Sequence, residues 1–271
     1  MNSPERVYVD SPERVFVNSP ELEPEFVMEY EIETVDVDGS AMEVFTFKPE
    51  GEGSHPAVIL AQHIPVGHTG IENDEFTLVT AARIAAEGYV VAVPFIFHWW
   101  PKDEDMMVKA KETRDDWTVS DLQTTQQLLD DRDDVDSARM GIVGHCWGGR
   151  VAWLGACHLH GLAACGVFYG GRIKLSLGKG FPPVIELANQ ISCPVIGFFG
   201  NEDRNPTPED VDDYEKALQE AGIEYTFHRY DGAGHAFQNF PTPDRYRETQ
   251  SEDAWEKVLA FLARNLGEFS K

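Results

Sequence analysis

Apolar and polar residues alternate with period two across positions 25–48, interrupted at Asp38-Gly39, a dipeptide that favours a tight β-turn. This predicts a β-hairpin near the N-terminus. The pattern then changes: 57–61 is an unbroken apolar run, as expected of a strand buried on both faces, and 72–87 carries a helical pattern that stops at Gly88. A second buried strand follows at 90–93, halted by Pro94, then a polar, aromatic-rich connection at 95–105, a helix at 120–129 and a strand at 140–143. Further strands are predicted at 164–169, 195–199 and 225–230, separated by helical segments, and an amphipathic helix at 251–266 closes the chain. Strands alternating with helices imply an α/β fold with a mostly parallel central sheet flanked by helices, preceded by the hairpin. In such sheets ligand chemistry sits at the carboxyl ends of the strands.

Ahead of the hairpin an octad repeats. S-P-E-R-V-Y-V-D at 3–10 is followed by S-P-E-R-V-F-V-N at 11–18, and S-P-E at 19–21 begins a third copy. Two copies do not build a solenoid. Each holds a short β-prone run after a proline, so residues 1–24 read as an extension of one large domain at 25–271, able to add an edge strand or to reach a second copy and make a homo-oligomer. A partly ordered arm with no catalytic part is the competing expectation.

Composition narrows the partners. Of 271 residues, 47 are acidic and 22 basic, and the formal net charge of −25 repels nucleic acid and anionic membranes alike. Cys146, Cys157, Cys165 and Cys193 are too scattered for a disulfide framework and form no C-x-x-C pair, which suits a reducing compartment. The first residues lack the basic and apolar regions of a secretory signal, and no stretch is apolar for long enough to span a bilayer. A cytoplasmic protein is the expectation.

The chemistry is concentrated after the strand at 140–143. There G-H-C-W-G-G at 144–149 leads into a helical pattern at 150–158, matching the strand–turn–helix elbow that exposes a nucleophile, with cysteine as the nucleophile. A thiol at a helix N-terminus is favoured as thiolate. By itself a cysteine in a glycine-rich turn is a common packing arrangement. Two later segments change that: Asn201-Glu202-Asp203 follows the strand at 195–199, and a glycine-loosened loop containing His235 follows the strand at 225–230. Nucleophile, acid and histidine in this chain order form a hydrolytic triad of Cys146, an acid and His235. Glu202 and Asp203 compete as the acid, and Asp203 is favoured. His55, His158, His160 and His228 are assigned to surface or packing roles.

These motifs, with G-N-E-D at 200–203 and G-A-G-H-A-F at 232–237, resemble the dienelactone hydrolase (carboxymethylenebutenolidase) family of α/β-hydrolases from about residue 57 onward. The resemblance implies Cys146 as nucleophile, His235 as general base, Asp203 as its orienting acid, and the backbone N–H groups of Ile64 and Trp147 as the oxyanion hole. It also exposes departures. A glutamate of the family that helps control the resting thiol is replaced by His63, and arginines that clamp an anionic carboxylate are missing after Pro94 and after His235. An aromatic pocket from Phe97, Trp99, Trp100 and Trp147, with His63 and Phe237, would suit a neutral, apolar ester or lactone. The expected reaction is hydrolysis of such a small molecule through a thioester, with no cofactor. His63 and His68 suggest a metal pair, but no third ligand is positioned by sequence, and no metal is expected. A catalytically silent binding protein and a transferase or lyase using the same triad are the alternatives.

Overall fold

A computed structural model describes residues 7–8, 13–17, 26–64 and 70–267 of the chain. The alternating segment forms β3 (Phe26–Val37) and β4 (Ser40–Phe47), paired antiparallel from Tyr30↔Phe47 to Val37↔Ser40. Asp38 and Gly39 close the hairpin with φ of 51° and 86°, the positive values that a two-residue turn between twisted strands requires. β4 pairs antiparallel with β6 (Val90–Pro94), and from there the sheet is parallel, in the order β6, β5 (His55–Ala61), β7 (Val135–His145), β8 (Leu162–Phe168), β9 (Val195–Gly200), β10 (Tyr225–Tyr230). The octad arm contributes β1 (Val7–Tyr8) and β2 (Glu13–Val17), both antiparallel to β3, against different stretches of the same strand.

Strands β5 and β6 are buried at every position, which is why they read as continuous apolar runs. Helices α1 (Glu75–Ala86), α3 (Asp115–Asp130), α4 (Trp147–His158), α5 (Pro208–Ala221) and α6 (Glu248–Leu266) cover the sheet, and a short α2 (Met106–Glu112) lies in the connection after β6. The sequence pattern misses α2, and it starts α3 and α4 several residues late, because Asp115 and Trp147 begin their helices with polar or glycine-rich turns rather than apolar periodicity. Among the described residues no helix is long and apolar enough to cross a membrane. Because β6, β5, β7, β8, β9 and β10 run parallel, the loops that follow them gather at one end of the sheet.

Candidate active site

Cys146 occupies the junction of β7 and α4 with φ 56° and ψ −117°, a conformation unusual for a residue with a side chain. Its N–H donates to the Phe168 carbonyl (3.0 Å), and its carbonyl accepts from Gly149 N (3.0 Å), so both sides of the turn are fixed. Gly148 is required by proximity: a Cβ there would run into the carbonyl oxygen of Ala61 at the end of β5. The strain is held by the carboxyl end of the interior strand β7 on one side and the start of α4 on the other.

The Cys146 Sγ lies 3.1 Å from His235 Nε2, and His235 Nδ1 lies 2.9 Å from Asp203 Oδ2. Asp203 is buried, and its other oxygen accepts Asn205 N (2.9 Å), which fixes the carboxylate plane. Glu202 points to solvent and contributes only its backbone N–H, donated to Ala233 O (2.9 Å), which ties the acid loop to the histidine loop. Of the two candidate acids, Asp203 is the one that meets the imidazole.

Burial works against charge on both members of the thiol–imidazole pair. At Cys146 it is overcome by the His235 hydrogen bond and charge, by the field of His63 and by the Trp147 N–H, which together bring the thiol below its ordinary value. At His235 the desolvation penalty is overcome by Asp203 and by the thiolate, and the imidazole is raised to about 10. Both shifts act in the same direction, easing transfer of the thiol proton to the imidazole. The other cysteines behave oppositely: burial pushes Cys157 and Cys193 up to about 12 and Cys165 well above its ordinary value. His145, beside Cys146, is driven down to about 3 by burial and stays neutral, with Nε2 bonded to Gln238 Oε1 (2.9 Å).

The remaining expected positions are distributed unevenly. Ala61 and Gly144 are register partners of β5 and β7, and continuing both strands carries His63 to the same end of the sheet as Cys146. His63 is buried there, with Nε2 shared between the two oxygens of Asp74 (3.0 and 2.8 Å). Burial alone would raise the Asp74 carboxyl, but His63 and Thr77 hold it below its ordinary value. Ile64 is half-buried at the end of this segment, and His68 lies outside the described residues. Phe97 is fully buried with its ring 6.5 Å from that of Trp147. Trp99 and Trp100 gather instead around Trp117 of α3, at 4.9 and 5.7 Å, because Trp99 Nε1 bonds Asp121 (3.4 Å) and Trp100 Nε1 bonds Glu112 (3.4 Å). Phe237 is fully buried between the rings of Tyr169 and Tyr230 and serves as backing for the site.

Arg83, Arg150 and Arg172 take three different places. Arg150 is buried in a bidentate pair with Asp115 and also donates to the carbonyls of Arg172 (3.2 Å) and Leu175 (3.0 Å). Arg83 lies over Trp255 on α6. Arg172, in left-handed backbone at φ 57°, is exposed and sets its guanidinium 5.8 Å from the Trp147 ring. Sequence reasoning singled out neither Asp74 nor Tyr169; the signal available for Tyr169 was its place at the carboxyl end of β8, just before Gly170-Gly171.

The model of the dienelactone hydrolase family matches residues 42–266. A protein of Salmonella typhimurium named "Putative carboxymethylenebutenolidase" is 28% identical over 242 residues, covering 86% of this chain and 86% of that protein. A Bradyrhizobium protein named "Probable 2-oxo-3-(5-oxofuran-2-ylidene)propanoate lactonase" is 27% identical over 240 residues, covering 86% of this chain and 93% of that protein. The crystal structure titled as a putative dienelactone hydrolase from Klebsiella pneumoniae superposes with a TM-score of 0.75 at 26% identity, covering 85% of this chain and 97% of that one.

Proposed function

The chain belongs to the dienelactone hydrolase family, whose members hydrolyse carboxylic ester or lactone bonds, and from that premise we propose that it does so with Cys146 as nucleophile, through a thioester. The observation that carries this reading is the unbroken hydrogen-bonded chain from Cys146 Sγ through His235 to Asp203, with the thiol at a strand-to-helix turn. The thiolate attacks the carbonyl carbon, the tetrahedral oxyanion is met by the N–H groups of Ile64 and Trp147, and His235 gives its proton to the departing oxygen. Water, deprotonated by His235, then attacks the thioester and releases the acid and the thiolate.

We further propose a preference for neutral, apolar acyl or lactone groups. Trp147 follows the nucleophile directly and packs on buried Phe97, an apolar surrounding for the thiol, and the net charge of −25 disfavours approach of anions. A reducing cytoplasm is the proposed setting, since it keeps a free thiol nucleophile uncapped. The outer edge made by β1 and β2 is the proposed contact with a second copy, since an edge strand is a pairing surface. The test of the central reading is a panel of short-chain p-nitrophenyl esters and simple lactones with the native chain, Cys146→Ala and His235→Ala. Both variants should lose nearly all activity while keeping the native circular dichroism. Undiminished hydrolysis by folded Cys146→Ala would remove the nucleophile from that residue.

A further inference from the structure

Tyr169 is buried, yet its hydroxyl has no hydrogen-bond partner among the described residues. A buried hydroxyl without a partner is unfavourable, and native structures retain few of them. Its neighbours make the choice of tyrosine pointed. The ring packs edge-to-face on His235 (5.3 Å between centroids, 67°) and on Phe237 (5.4 Å), within a wall of rings that includes Phe168 and Phe198. Phenylalanine would fill this place equally well and leave no oxygen unpaired.

The backbone is committed as well. Tyr169 has φ 38°, a costly value for a bulky side chain, and its N–H donates to Phe198 O (2.8 Å) across to β9. On the other side, a Cβ on Gly170 would lie 2.8 Å from the carbonyl carbon of Gly149, so the turn after β8 is pressed against the first turn of α4. Tyr169 is thus clamped between the acid strand and the nucleophile turn. Burial, aided by the charges of Cys146 and Asp203, raises its hydroxyl well above the ordinary value, so it keeps its proton.

We propose that the Tyr169 hydroxyl is a further catalytic group: it hydrogen-bonds the oxygen with which His235 exchanges a proton. In the first half-reaction this is the departing alkoxide oxygen. The C–O bond breaks, the proton moves from His235 Nε2 to that oxygen, and Tyr169 donates its own hydrogen bond to the charge developing there. In the second half-reaction the attacking water occupies the same position by microscopic reversibility. It gives one proton to His235 and its second hydrogen bond to the Tyr169 oxygen, after which the C–S bond breaks. The inference rests on the thioester reading above.

The test compares the native chain with Tyr169→Phe, which keeps the ring against His235 and removes one oxygen. The probes are p-nitrophenyl butyrate and ethyl butyrate, two esters of one acid. The p-nitrophenolate leaving group needs no proton, so its pre-steady-state burst should stay within about twofold of native, while turnover falls about ten- to a hundredfold, as loss of one hydrogen bond to a charged or reacting oxygen implies. A butyryl adduct on Cys146 should accumulate in the variant and be seen by intact mass, and kcat/KM for ethyl butyrate should fall by a factor similar to that for turnover. Burst and turnover reduced equally, or neither reduced, would overturn the role of Tyr169. Turnover without any butyryl adduct in either protein would instead overturn the thioester reading. Should Tyr169→Phe not fold, a fluorotyrosine at the same position carries the test: turnover that follows the acidity of the substituted phenol supports the role, and turnover indifferent to it refutes it.

Discussion

Asp203→Asn should leave the loops after β9 and β10 in place and remove one negative charge 2.9 Å from His235 Nδ1. Burial opposes a charged imidazole at this position, yet Asp203 and the Cys146 thiolate raise it to about 10, which against an ordinary 6.5 is a margin of roughly 4–5 kcal/mol at about 1.36 kcal/mol per pH unit. With the carboxylate gone only the thiolate opposes burial, and because the penalty remains in full, more than half of that margin, on the order of 3 kcal/mol, should be lost. His235 then gives up its proton at lower pH, so the alkaline limb of the kcat/KM profile moves down from about 10. The Cys146 thiol, losing part of the imidazolium's support, needs a higher pH to ionise, and the acid limb moves up. The active window narrows from both sides. An asparagine amide facing Nδ1 also favours the wrong imidazole tautomer, so activity at neutral pH should fall about a thousand- to ten-thousandfold, whereas Glu202→Gln should cost less than about threefold. The assay is the pH dependence of kcat/KM for a neutral ester, paired with ultraviolet titration of the thiolate. An alkaline limb that does not move, or equal losses from Asp203→Asn and Glu202→Gln, would refute the argument.

Two further outcomes are expected. Iodoacetamide at neutral pH should label Cys146 at least about a hundredfold faster than the other three thiols, which burial holds at about 12 or higher; peptide mapping that finds Cys157 or Cys193 modified first would contradict this. A neutral ester should exceed its carboxylate-bearing analogue in kcat/KM by about tenfold or more at low salt, the gap closing as salt screens the negative field. A preference for the anion that weakens with salt and disappears in Arg172→Gln would show that the guanidinium over Trp147 supplies an anchor.

The parts of this molecule legible in its sequence are those where a short stretch of chain answers to one physical demand. The burial of β5 and β6 on both faces leaves continuous apolar runs, and the turn at Asp38-Gly39 needs two residues tolerant of positive φ. The turn at Cys146 needs glycine at 148, where another strand's backbone comes close. Side-chain direction is another matter. Trp99 and Trp100 sit in an aromatic stretch that invites a pocket assignment, but Asp121, Glu112 and Trp117, all from α2 or α3, determine where the rings go. The pairing of His63 with Asp74 and the contact of Tyr169 with His235 likewise join segments whose approach is set by the sheet order. The seven-residue α2 is too short, and too polar at its ends, to show a period.

Arg150 gives the site a mechanical property that the triad alone does not. It belongs to the helix that Cys146 begins, and its guanidinium reaches across to carbonyls of Arg172 and Leu175 while Asp115 receives both the guanidinium and Leu177 N–H. The nucleophile turn and the loop that leaves Tyr169 are therefore bolted to one fixed point outside the reaction space. A guanidinium keeps its charge throughout the pH range in which thiols and imidazoles change theirs. Proton traffic between Cys146 and His235 can thus proceed without loosening the frame that sets their separation.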